Sequence, residues 1–300
     1  MRSGSQLLTA VADLLSRETG EELTVLRQTP VGGGSIHSAA ILELSDGSRR
    51  FVKHSPGAPA DMFPREAEGL RALAAAGAVR VPRDPLPGEA GGSRFLLMEA
   101  IDTGRPSRDF FPRFGHAFAE LHLGTRQARA GFPHDNYIGS TPQPNGWMDD
   151  WCGFFRRHRL GFQLELARRN GLATAELSRL GDRLLERLAT WLDVPGEDCC
   201  LLHGDLWSGN FLCDAEGEPV LIDPAAYYGH READLAMTHL FGGFDRAFYD
   251  AYEEAWPLPS GVVEQRERQE IYQLYHLLNH LNLFGSGYLS QCLAILRRLA

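Results

Sequence analysis

The sequence predicts an α+β molecule in two lobes, a small β-rich lobe with one main helix and a larger, mostly helical lobe. Three observations predict it. Strand-like runs and turns crowd residues 1–100, helical periodicity fills most of residues 101–300, and a polar-tipped hairpin interrupts the helices between Leu201 and Met237. The apolar strand Arg94 to Met98 runs into Glu99-Ala100-Ile101-Asp102-Thr103-Gly104, which reads as the hinge between residues 1–100 and residues 101–300.

In chain order, Leu7, Leu8, Val11, Leu14 and Leu15 form a helical stripe, with Ser5 as its cap and Gly20 as its stop. Leu23 to Thr29 and Ala39 to Leu44 read as strands joined by a glycine-rich segment, and Asp46-Gly47 turns the chain into a third strand, Arg50 to Lys53. Backbone amides of Gly32, Gly33, Gly34 and Ser35 could close over phosphates there, although three glycines in a hairpin also make a plain turn. The strand-to-helix P-loop is excluded, because its G-K-[ST] ending is missing. Met62 to Gly77 is a helix that places Glu66, Leu70 and Leu73 on one stripe. A carboxylate on that stripe needs a partner. Lys53, at the end of a strand, is available to Glu66, or to Glu68 if the register shifts. Phe110 to His122 is amphipathic. Gly131 to Trp151 is turn-rich and carries Phe132, Tyr137 and Trp147, which makes it a candidate substrate-facing insertion. Helices follow at about Trp151 to Arg169 and Thr174 to Leu192, and beyond the hairpin at Arg231 to Phe241, Arg246 to Ala255, Val262 to Leu283 and Leu289 to Leu299. His230, His239, His276 and His280 are dispersed over these helices and read as packing or hydrogen-bonding residues.

Composition narrows the class. The chain has 300 residues, 43% of them hydrophobic, which suits a globular protein with a large core. A net charge of −9 argues against nonspecific binding to nucleic acid or to anionic membranes. The five cysteines form no C-x-x-C pair, so they read as reduced core thiols rather than disulfides or a zinc site. The first residues lack a signal-peptide apolar run, and no stretch has transmembrane length, so a cytoplasmic protein is expected. Of 30 basic residues, Lys53 is the only lysine. Arginine bias explains most of that imbalance. At position 53, though, a compact ammonium has been kept where a planar guanidinium would differ physically.

The hairpin carries the chemistry. Two strand-like runs, Leu201-Leu202 and Val220-Leu221-Ile222, lead to His203-Gly204-Asp205 with Asn210, and to Asp223. The strand Phe211 to Cys213 and the turn Asp214 to Gly217 connect them, which brings Asp205, Asn210 and Asp223 to one end of a small sheet. Two carboxylates and an amide oxygen suit a hydroxyl-activating base beside a magnesium site.

The order of glycine loop, strand lysine, helix glutamate, hinge, H-G-D-x-x-x-x-N and I-D-P resembles the protein-kinase-like fold in its aminoglycoside and choline kinase branch. Gly204 stands where protein kinases carry arginine, Asp223-Pro224-Ala225 replaces D-F-G, and no A-P-E follows, which favours a small-molecule acceptor. A closer resemblance, over nearly the whole chain, is to the fructosamine kinase family. It rests on His203 to Asn210 with Trp207, on Asp223-Pro224-Ala225 with Tyr228 to Met237, on Phe241 to Phe244, and on Tyr275 to His280 with Asn282 to Gly285. Some relatives carry a cysteine where this chain has Ser35, so a redox switch in the loop is not supported.

That resemblance implies ATP-dependent phosphorylation, with Mg2+, of the 3-hydroxyl of a ketosamine. The ester then breaks down and frees the amine of a small molecule or of a glycated protein lysine. It implies Asp205 as catalytic base and Asn210 and Asp223 as metal ligands. Lys53 would contact the nucleotide phosphates, held by Glu66, and Gly32 to Ser35 with Glu99, Ala100 and Ile101 would line the nucleotide site. His203 and Asp234 would brace the catalytic loop. Trp207 could stack on the sugar, although a buried structural indole fits the same spacing. The alternatives are another small-molecule kinase of this fold, acting on an aminoglycoside, choline or homoserine, and a pseudokinase used as a binding module. The intact Lys53, Asp205, Asn210 and Asp223 count against the second. The identity of the ketose and the oligomeric state stay open.

Overall fold

The computed structural model describes residues 2–32, 37–90, 92–259 and 262–300, and only the backbone of residues 2–5 and 262–264. The first lobe begins with α1 (Arg2–Thr19), three residues earlier than the Ser5 cap predicted; the Ser5 side chain lies outside the described residues. Strands β1 (Val25–Val31), β2 (Ser38–Leu44) and β3 (Arg49–Pro56) follow, then α2 (Met62–Ala76), β4 (Leu86–Ala90) and β5 (Ser93–Glu99). They form one antiparallel sheet in the order β1-β2-β3-β5-β4. The period-two alternation of strands sorts the side chains to opposite faces. Leu42, Val52, Phe95 and Leu97 pack with Leu7, Val11 and Leu15 of α1. Leu96 and Met98 pack with Phe63, Ala67, Leu70 and Leu73 of α2. Lys53, next to Val52, therefore projects to the α2 side. Strand β4 was missed because Leu86-Pro87-Gly88-Glu89-Ala90 contains two strand-averse residues; at the sheet edge a proline costs no ladder hydrogen bond.

The second lobe contains α3 (Phe110–Gly124), the short pair β6 (Asn136–Ile138) and β7 (Thr141–Gln143), and α4 (Trp151–Phe154). Next come α5 (Gly161–Arg169), α6 (Ala175–Arg187) and α7 (Ala189–Leu192). The helix expected over 151–169 is interrupted by a π-helical turn at Phe155–Leu160. There Arg159 is fully buried, donating to the Pro144 carbonyl (2.6 Å) and to Asn145 Oδ1 (2.7 Å), with its guanidinium 3.9 Å from the Tyr227 ring centre. A π-turn re-aims a side chain that regular helix would point elsewhere.

The hairpin region follows as β8 (Cys200–Leu202), β9 (Phe211–Cys213), β10 (Pro219–Leu221) and β11 (Tyr227–Gly229), with β9 paired to β10 and β8 to β11. Helices α8 (Glu232–Leu240), α9 (Arg246–Ala255), α10 (Val262–Phe284) and α11 (Leu289–Leu299) complete the chain. Buried Ile271, Leu274, Leu278 and Leu281 put α10 through the core of this lobe. The first lobe and the hinge meet the hairpin through main-chain bonds: Leu221 N donates to the Arg80 carbonyl (2.9 Å) and Gly104 N to the Cys213 carbonyl (2.9 Å). All five cysteines are buried and free. No described helix is long and apolar enough to cross a membrane.

Candidate active site

Strand β8 ends in His203-Gly204-Asp205, and the loop is pinned from three sides. Asp234, fully buried on α8, accepts hydrogen bonds from His203 N (2.7 Å) and Gly204 N (2.8 Å). Burial works to raise its pKa, yet the hydrogen bonds from His122 and Gly204 hold it below the usual aspartate value. His203 is itself buried, and burial lowers its pKa, so the ring is neutral. Its partners assign the tautomer: Nε2–H donates to the Ile222 carbonyl (2.9 Å), and Nδ1 accepts from Asp205 N (3.3 Å). Gly204 has φ +82°, and a Cβ there would lie 2.1 Å from the Ala225 carbonyl oxygen. Only glycine lets the loop approach the segment after Asp223 this closely.

The hairpin then gathers the predicted oxygen donors. Asn210 donates its side-chain amide N–H to the Asp205 carbonyl (2.8 Å) and to Asp205 Oδ2 (3.2 Å), while its main-chain carbonyl accepts from Ile222 N (3.0 Å). Asp223 follows at once, held at φ +53°, a strained conformation for an aspartate. Asp205's carboxyl is pushed well above its usual range, by burial first and then by the Asp223 charge, against the Asn210 hydrogen bond.

Lys53 crosses from the sheet to this group. Its ammonium pairs with Glu66 of α2 and with Asp223 Oδ1 at 2.8 Å. Burial alone would lower its pKa, but Asp223 and Glu66 more than offset this and keep it charged. Burial works to raise Asp223 as well, and the Lys53 charge outweighs it and holds that carboxylate low. Glu68 points elsewhere, to Arg65 (3.1 Å) and His134 (2.8 Å).

Other predicted positions fall differently. Gly33, Gly34 and Ser35 lie outside the described residues, and Gly32 is exposed. Glu99 commits its carboxylate to Arg80 (2.7 Å) and Arg83 (2.9 Å), and its main-chain N–H to the Arg83 carbonyl (3.0 Å). Trp207 is exposed, 36%, with its ring folded over Gly209, where a Cβ would sit 2.4 Å from the indole. The Gly131 to Trp151 insertion turns much of its polarity inward. Asn136 donates to the Ala226 carbonyl (2.8 Å), Gln143 to the Ala225 carbonyl (3.0 Å), and Tyr137 to Asp61 at the start of α2 (2.7 Å).

One residue read as packing or hydrogen-bonding lies beside the catalytic loop. His276 on α10 is buried, with Nδ1 3.8 Å from Asp205 Oδ1 and without a hydrogen-bond partner for that nitrogen among the described residues. Burial pushes its pKa down to about 3, so it is a neutral imidazole. The helical pattern of Tyr275-His276-Leu277-Leu278 looks like core, and only tertiary placement shows which way the ring aims.

A strand lysine paired with a helix glutamate, facing a loop aspartate across the cleft, is the arrangement of protein-kinase-like phosphotransferases. The fold and the site put the chain in that class. Its family is narrower. The fructosamine kinase family model matches residues 7–300. The "Probable ketoamine kinase" of Synechocystis sp. is 41% identical over 289 residues, covering 96% of this chain and 95% of that one. The chloroplastic "Protein-ribulosamine 3-kinase" of Oryza sativa subsp. japonica is 41% identical over 282 residues, covering 92% and 80%. A crystal structure from Haemophilus somnus, "Putative fructosamine-3-kinase", superposes with a TM-score of 0.87 at 27% identity and covers 97% of each chain. The chain belongs to the fructosamine kinase family.

Proposed function

We propose that the protein uses ATP to phosphorylate the 3-hydroxyl of ketosamines, with release of the amine on breakdown of the ester. The observation that carries this reading is the convergence of Asp205, Asn210, Asp223 and Lys53 in a chain that aligns with ketoamine and ribulosamine kinases over nearly its whole length. Residues 1–100 cover the nucleotide and residues 101–300 bind the sugar.

Asp205 accepts the proton of the attacking hydroxyl, and because phosphoryl transfer gains mostly from alignment, it also orients that oxygen. Lys53, held between Glu66 and Asp223, meets the nucleotide phosphates as a point charge. The donors fit Mg2+: Asn210 commits its amide N–H to Asp205, which leaves its oxygen for a hard cation beside the half-exposed Asp223 carboxylate. Bound there, the ion would neutralise charge on the phosphates. Trp207, exposed beside Asp205 in the sequence, offers a ring face to the sugar.

The aminoglycoside or choline alternative needs free acidic groups in the insertion, and each of those present has a protein partner. Asp135 accepts from Asn145 N (2.7 Å), Asp150 caps α4, and Asp149 pairs with Arg129 (2.7 Å). ATP turnover with ribulose-lysine, fructose-lysine, choline and kanamycin tests the reading. Turnover confined to the ketosamines is expected; faster turnover of choline or kanamycin would overturn it.

A further inference from the structure

Three of the five exposed large hydrophobic residues among those described, Trp207, Phe241 and Phe284, lie on one path leading away from Asp205. Trp207 meets Phe241 edge-on (centroids 6.0 Å apart), Phe241 meets His280 (5.0 Å), and His280 meets Phe284 (5.4 Å) and Tyr288 (5.1 Å). These contacts are tilted or T-shaped rather than stacked, so ring faces stay open. Phe241 and Phe284 are 40% and 50% exposed and join Trp207 in one contiguous exposed strip rather than standing singly.

The path has a direction. His276, His280 and Phe284 share one face of α10 at i, i+4 and i+8, and the inner end of that face is 3.8 Å from the catalytic carboxylate. Eight helical residues carry the strip about 12 Å outward. Its charge is equally specific: Ile271 to Ile295 and Met237 to Phe244 contain no Asp, Glu, Lys or Arg. Such a surface offers nothing to hold a phosphate and no like charge to repel a cation. Aromatic faces do attract an ammonium and the methylenes beside it.

We propose that Phe241, His280, Phe284 and Tyr288, continuing outward from Trp207, bind the amine-bearing arm of the substrate, an alkyl chain joined to the sugar through a secondary ammonium. The inference rests on the ketosamine reading above and deepens it. The sugar sits at Asp205 and Trp207, its nitrogen faces outward, and the arm lies along the rings. Preference among amines is therefore set on α10 and at the end of α8, away from the phosphoryl-transfer groups.

The test compares two ribulose adducts, one of methylamine and one of lysine within a blocked tripeptide, on the wild type and on Phe241→Ala, Phe284→Ala and Phe284→Tyr. For Phe284→Ala and Phe241→Ala, the KM for the tripeptide adduct should rise about tenfold more than that for the methylamine adduct, which is the weight of one aromatic contact. Phe284→Tyr should restore the preference. An equal change on both adducts overturns the inference while leaving the ketosamine reading intact. Loss of a dimer in light scattering, with arm preference unaltered, also overturns it and makes the strip an interface between copies. A wild type inactive on both adducts overturns the ketosamine reading and this inference with it.

Discussion

Replacing Gly204 by alanine probes the closest approach in the active site. Its φ of +82° disfavours any Cβ, and the new methyl would lie 2.1 Å from the Ala225 carbonyl oxygen, where ordinary contact begins near 3.4 Å. The catalytic loop must therefore retreat by about 1.3 Å, the difference between those two distances. Left-handed backbone costs an alanine about 1–2 kcal/mol. Retreat also strains the bond from Gly204 N to the buried Asp234 carboxylate, worth about 1.5–3 kcal/mol as a hydrogen bond to a charged group. Together these predict a loss of about 2.5–5 kcal/mol and a fall in Tm on the order of 10 °C. A displacement of about 1 Å at Asp205 should cost about 10²-fold in kcat. The KM for ATP should change little, because Lys53 and Glu66 belong to the other lobe. Thermal melts and steady-state ATP turnover with ribulose-lysine measure both. A variant with near-wild-type Tm and turnover would refute the pinning of the loop against Ala225.

Asp205→Asn keeps a group that can still accept from Asn210 but removes the base, so kcat should fall on the order of 10³-fold while ATP binding, followed by calorimetry, persists. Lys53→Arg places a larger, planar cation in a 5%-exposed site between Glu66 and Asp223, and kcat/KM for ATP should drop at least about tenfold. Asp234→Asn should be destabilised at neutral pH and show a flatter acid dependence. Asp234's folded pKa lies below its ordinary 3.8, so its contribution is present above that pH and is lost as pH falls through the lower folded value. Urea midpoints between pH 7 and pH 3 should show the two proteins converging at the acid end.

Much of the site was legible because short-range spacing fixes it. Asp205 and Asn210 share one loop, and the hairpin through Asp214 and Gly217 can only return Asp223 to the same end. Lys53 was legible as the one lysine, and Glu66 as a carboxylate on an apolar stripe. What spacing does not report is the direction of a side chain within a helical lobe. His276 looked like core in the pattern of α10, and its aim at Asp205 depends on how α10 packs. The insertion is a similar case. Its turn residues suggest a substrate-facing loop, and spacing gave no sign that its buried amides also hold the segment after Asp223. The π-turn at Phe155–Leu160 was hidden because helical periodicity continues through it, and the reason for it, a buried Arg159 among aromatic rings, is tertiary. Strand β4 defied local propensity by lying at the sheet edge.

The central claim, phosphoryl transfer to the sugar of a ketosamine, is tested most directly by following the product. The protein is incubated with ATP, Mg2+ and ribulose-lysine, and the phosphorus NMR spectrum is recorded over time alongside the release of free lysine. The account predicts a single new phosphate ester, coupled to the proton on sugar carbon 3, which decays as the amine appears. ADP formation independent of the ketosamine, or an ester on another hydroxyl, would contradict it.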